Sequence, residues 1–215
     1  GVWHPHQFVA IKETDVSEET EERYANRIHN LLSGLHKIGS LYFQLSARVG
    51  YVGSEKLLKQ PSELIRRAVL AVPCINSGLT SQAYSKQMDE LNNHEAQIEA
   101  ELRCAIANSE FYLKYQPKLS LESGKVIGAE ALIRWNSSRL GYIGPDQFIP
   151  IAESMGMINE LGEWVFDESV KQLRDWNQEG RVGIDFKLAI NASAIQLFNP
   201  NFLSFVKATL MQYKI

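Results

Sequence analysis

From Lys125 onward, apolar strand-like runs alternate with amphipathic helical stretches, and this β, α, β, α order constrains the fold more than any other feature of the chain. A strand over Lys125–Trp135 is followed by a turn at Leu140–Pro145, a helix from Asp146 and a longer helix from Asn159 to Gln178. A strand over Phe186–Asn191 and a helix after Pro200 complete the series. Such alternation implies parallel strands joined by helical crossovers, and a further strand, Phe111–Gln116, leads into it.

The upstream half mixes strands and helices. Gln7–Ile11 alternates as a short strand. A helix is expected from Ser17, with Glu18, Glu19, Glu21 and Glu22 in its first turn and an inward stripe of Tyr24, Ile28, Leu31, Leu32, Leu35 and Ile38, ending at Gly39. Leu41–Val49 reads as a strand, and Pro61 opens a helix carrying Leu64, Ile65, Ala68 and Val72. Gln87–Ile106 is polar with a sparse apolar stripe, the pattern of a solvated helix between two folded units. The expected organisation is therefore a first domain over 1–85, a linking helix over 86–107 and a second domain over 108–215.

Bulk charge narrows the partners. With 22 basic and 25 acidic residues the formal net charge is −3, so the chain lacks the basic field that a nucleic-acid polymer requires. No apolar run approaches the roughly 20 residues of a membrane helix and no signal peptide opens the chain, which points to the cytoplasm, with any membrane anchor of the parent protein ahead of residue 1. Cys74 and Cys104 lie far apart without metal spacing and read as reduced thiols used in packing. His4 and His6 share a strand face, but a transition-metal site needs further ligands.

Glu130 is the anomaly, a single carboxylate inside the apolar run Val126–Trp135. Strand side chains alternate faces, so Glu130, Leu132 and Arg134 project together. A carboxylate there needs a cationic partner, and either Arg134 or a metal ion could supply it. Asn191, at the end of the next expected strand, is a second oxygen donor suited to a hard divalent cation, or else a turn or cap for the segment after it. Glu130 lies toward the carboxyl end of its strand, where β/α barrels gather catalytic groups.

Tyr115-Gln116-Pro117, Gly128 to Trp135, Leu140 to Glu153, Gly156-Met157-Ile158 with Trp164-Val165, and Asn191-Ala192-Ser193 with Gln196 together resemble the amino-terminal half of an EAL domain, over about Glu101 to Ile215. The resemblance implies a TIM-type (β/α) barrel, here incomplete, that hydrolyses cyclic di-GMP to the linear dinucleotide pGpG with Mg²⁺ or Mn²⁺. It implies Glu130 as a catalytic metal ligand, Asn191 as a second ligand, Arg134 on a phosphate, and Gln116 and Leu132 along the nucleotide. Pro145 and Phe148 read as turn and core residues. Cyclic di-GMP is the implied partner, and a homodimer is compatible with the resemblance. The family's remaining carboxylates and general-base lysine belong to later strands, so activity is expected of the parent protein and not of this stretch alone.

His4-Pro5-His6-Gln7-Phe8-Val9 falls where a GGDEF domain carries its signature, so the first domain resembles a partial α+β GGDEF-like module. The signature's glycines and acids are absent, which implies that the module does not synthesise cyclic di-GMP. Two rival readings fit the same residues. One is a receptor that binds cyclic di-GMP without cleaving it and transmits occupancy through the Gln87–Ile106 helix to a partner protein. The other is a glycoside hydrolase using Glu130 with Glu153.

Overall fold

The computed structural model describes residues 2–4, 6–11, 20–53 and 60–215. They sort into two compact units, Gly1–Asn92 and Asn93–Ile215.

In the first unit, β1 (Val2–His4) pairs antiparallel with β2 (Gln7–Phe8), shorter than the expected strand to Ile11. The expected start at Ser17 with Glu18 and Glu19 lies outside the described residues. Helix α1 (Glu21–Leu32) is capped by Thr20, whose hydroxyl accepts from the Arg23 amide at 3.3 Å, and Glu21 and Glu22 meet the positive end of its dipole. It ends at Ser33, several residues before Gly39. Gly34 adopts φ +117°, a conformation that favours glycine, and β3 (Gly34–Ile38) turns back through Gly39–Ser40 onto β4 (Leu41–Leu45). Leu35 and Ile38 therefore belong to a hairpin, with Lys37 over the Tyr42 ring at 5.7 Å, and not to the helical stripe.

The expected strand Leu41–Val49 likewise divides, β5 (Val49–Tyr51) forming separately. Helix α2 (Pro61–Leu70) has proline in its first turn as expected. Beyond it, β6 (Ser81–Ala83) pairs parallel with β5. Arg66 and Arg67 both grip Glu63, at 2.7 and 2.9 Å, and Arg66 also reaches Asp89 at 2.7 Å. Hydrogen bonds from Arg66 and then Arg67 hold the Glu63 carboxyl down at about 2.

Helix α3 (Lys86–Ala105) matches the expected linking helix in extent, but Ile98, Leu102 and Ala105 are buried in the core of the second unit. Their i, i+4, i+7 spacing forms one apolar face, so the carboxyl-terminal turns are structural and not merely solvated. The second unit's sheet has the order β10-β8-β7, with β7 (Phe111–Leu119), β8 (Val126–Ser137) and β10 (Lys187–Ile190), and the short β9 (Gly141–Ile143) pairs with β8. β8 and β10 are parallel, as the alternation implies. β7 is antiparallel to β8, because the connection between them is a tight hairpin too short for a crossover.

Helices α4 (Pro145–Ser154), α5 (Ile158–Gln178), α6 (Ala194–Leu197) and α7 (Phe202–Tyr213) complete the unit. Odd-numbered residues of β7 and β8 face the helices, and Phe111, Trp135, Phe148, Ile143 and Leu161 join the α3 residues in the core. Pro145 opens α4 and Phe148 is fully buried, the turn and core roles expected of them. Both cysteines are free and exposed, so the expected packing role is corrected. Among the described residues no helix is long and apolar enough to cross a membrane.

Candidate metal and nucleotide site

The even-numbered residues of β7 and β8 form the other face of the sheet. In antiparallel register, Gln116 stands opposite Glu130, Lys118 opposite Gly128 and Lys114 opposite Leu132. Parallel pairing places Ala189 beside Glu130 and Lys187 beside Gly128, and one step beyond β10 brings Asn191 onto the same face. Glu130 lies within the amino-terminal half of β8, since that strand runs on to Ser137, although it is near the carboxyl end of β10.

Asn191 Nδ2 donates to Glu130 Oε1 at 2.8 Å, and Lys118 Nζ stands 3.4 Å from Glu130 Oε2. Arg134 is not the partner of Glu130; its Nη1 donates to the Ile133 carbonyl at 2.8 Å. Four residues along a strand span about 13 Å at roughly 3.3 Å per residue, whereas an adjacent strand is about 4.8 Å away, so the lateral cation wins. Lys118 reaches Glu130 across Gly128, which has no side chain to obstruct it. The hydrogen bond from Asn191, then that from Lys118, lowers the Glu130 pKa and keeps the carboxylate ionised at neutral pH.

The donor types suit a hard divalent cation: the Glu130 carboxylate, and the Asn191 amide through Oδ1. They form a partial donor set, because no group of three His, Cys, Asp or Glu side chains able to hold a metal occurs among the described residues. Leu132 follows Glu130 on the same face, half-buried. Glu153 is engaged elsewhere, accepting from Ser193 Oγ at 2.5 Å. Sequence reasoning missed Lys118, whose signal was its two-residue offset from Gln116, and missed the link from Glu153 to Ser193, which no spacing reveals.

Residues 99–215 match the profile of the EAL domain. The chain belongs to the EAL domain family. Glu130-Ala131-Leu132 is its EAL triplet. The bifunctional diguanylate cyclase/cyclic di-GMP phosphodiesterase MucR of Pseudomonas aeruginosa is 35% identical over 132 residues, covering 61% of this chain and 19% of MucR. The cyclic di-GMP phosphodiesterase PdeR of Escherichia coli is 30% identical over 201 residues, 93% of this chain and 30% of PdeR. The structure of the PaMucR phosphodiesterase in complex with c-di-GMP superposes with a TM-score of 0.53 and 38% identity, covering 55% of this chain and 47% of that one. The chain thus spans less than a third of the length of either curated relative.

Proposed function

We propose that this chain is part of a cytoplasmic cyclic di-GMP phosphodiesterase that cleaves one phosphodiester bond to give pGpG. The observation that carries the reading is the convergence at 2.8 Å of Glu130, within β8, and Asn191, just past the end of β10. Register also places Lys114, Lys118, Arg134 and Lys187 on the same face as the Glu130 carboxylate, a field suited to an anionic diester.

Glu130 and Asn191 Oδ1 would hold Mg²⁺ or Mn²⁺, and Glu130 is already ionised for that role. Such a metal would supply Lewis-acid polarisation of a phosphoryl oxygen and a more acidic water. The Arg134 guanidinium leaves its backbone contact to grip phosphate oxygens in a planar, two-point manner. Gln116 and Leu132 line the nucleotide, and turnover would require further carboxylates and a general base from elsewhere in the full-length protein.

The first unit is read as a GGDEF-like module without synthase activity. The likeness to PdeR covers 93% of the chain and so extends upstream of the EAL domain, while His4, Pro5, His6 and Gln7 stand where glycines and acids would be needed.

The deciding experiment follows pGpG release by chromatography, using full-length protein, c-di-GMP and Mg²⁺ or Mn²⁺. Wild type should turn over and Glu130→Ala should not. Undiminished turnover by Glu130→Ala would refute the role of Glu130. The Glu130–Lys118 ion pair favours one second reading, a receptor that needs no metal to satisfy its carboxylate; tight c-di-GMP binding without turnover would establish it.

A further inference from the structure

Asn191 is exposed, as is Ala192 after it, so burial does not fix the side chain that meets Glu130. The first anchored residue of the segment is Ser193. Its hydroxyl accepts from the Ile195 amide at 3.3 Å and its backbone N–H donates to Gln196 Oε1 at 2.9 Å, completing a capping box at α6. A serine hydroxyl has one proton and two lone pairs. With the lone pairs turned to the α6 amides, the proton goes to Glu153 Oε1 in the last turn of α4, at 2.5 Å. Gln196 is 4% exposed and lies directly against Gly162 of α5. One segment is therefore held to α4 at Ser193, two residues after Asn191, through Glu153, and to α5 at Gln196, five residues after it.

We propose that Glu153 is a positioning residue: through Ser193 it fixes the segment that presents Asn191 to Glu130, and so sets the orientation of a proposed metal ligand without touching metal or substrate. The metal-ligand part of this inference rests on the reading of Asn191 given under Proposed function; the positioning of the amide does not.

The chemistry requires an acceptor at position 153 and not a charge. Glu153→Gln keeps a carbonyl oxygen for the Ser193 proton, whereas Glu153→Leu and Ser193→Ala each remove the bond. In the ¹⁵N-labelled chain, the Asn191 side-chain amide should keep its wild-type shift and exchange rate in Glu153→Gln. In Glu153→Leu and Ser193→Ala its exchange with water should speed by about five- to tenfold, the loss expected for one net hydrogen bond. The Trp135 indole resonance, in the core, should stay in place throughout and report an intact fold. Wild-type Asn191 behaviour in Glu153→Leu overturns the proposal, as does failure of Glu153→Gln to restore it while Trp135 is unchanged. If Glu153→Leu does not fold, Ser193→Ala decides by the same readout. Mn²⁺ titration of the full-length variants separates the two readings: a displaced Asn191 amide with weakened Mn²⁺ binding supports both. A displaced amide with unchanged Mn²⁺ affinity supports the positioning and overturns the ligand role of Asn191.

Discussion

Gly162→Ala sets two physical effects of opposite sign against each other. Gly162 is the fifth residue of α5, and alanine in a helix interior is better than glycine by about 1 kcal/mol, so propensity alone predicts a more stable protein. The structure predicts the reverse. A methyl group on Gly162 overlaps the Gln196 carboxamide nitrogen, and Gln196 cannot swing aside freely because it is buried and its oxygen holds the Ser193 amide. Overpacking costs about 1–3 kcal/mol and losing the cap about 1 kcal/mol, so after the helix gain the net is about 1–3 kcal/mol destabilising. Urea unfolding followed by tryptophan fluorescence suits the measurement, since Trp135, Trp164 and Trp176 all lie in the second unit. In a Gln196→Ala background the overlap disappears, and Gly162→Ala should then stabilise by up to about 1 kcal/mol. A stabilising Gly162→Ala in the wild-type background would refute the claim that this contact holds α6 against α5.

Phe148 is fully buried, with ring centroids 5.6 Å from both Phe111 and Trp135, so Phe148→Ala should cost about 3–5 kcal/mol in the same urea assay, and a loss below about 1 kcal/mol would show that the cluster collapses to fill the cavity. Burial, and then the Glu168 carboxylate, push the Tyr115 phenol up to about 12. Its folded pKa exceeds the ordinary 10.0, so the stability it contributes is complete below pH 10.0 and is lost as pH rises through about 12. Tyr51, Tyr84 and Tyr213 are also shifted upward, so phenolate absorbance in wild type should show a late-titrating phase that Tyr115→Phe diminishes by one phenol, and an unchanged titration would place Tyr115 among the ordinary phenols.

Helices with strong boundary chemistry were legible in the sequence: Pro61 opens α2, and α5 runs from Ile158 against an expected start at Asn159. Segment 34–38 was not, because Leu31, Leu32, Leu35 and Ile38 satisfy a helical period while apolar periodicity is blind to the positive φ at Gly34 that ends the helix. At the site, Glu130 and Asn191 were readable one strand at a time, and the fold brings them together. Arg134 was readable as sharing a face with Glu130 but not as being too far along the strand to pair with it. Lys118 needed the β7–β8 register, which spacing within either strand cannot supply.

The same register explains how a charged side chain survives in so apolar a strand. Ala129 and Ala131, on either side of Glu130, are 5% and 2% exposed against the helices, while the Glu130 side chain keeps 31% of its surface on the opposite face. The carboxylate therefore avoids the cost of an unpaired charge in the core, and a neighbouring ammonium and amide stabilise its ionised form. On the proposed function, a divalent cation approaching this face would meet a carboxylate that has no proton to release, so the local cost of binding would be the exchange of Lys118 for a stronger charge. Lys118 is 47% exposed, on a flexible stem that can carry its ammonium into solvent, which makes that exchange a side-chain motion and leaves the sheet undisturbed.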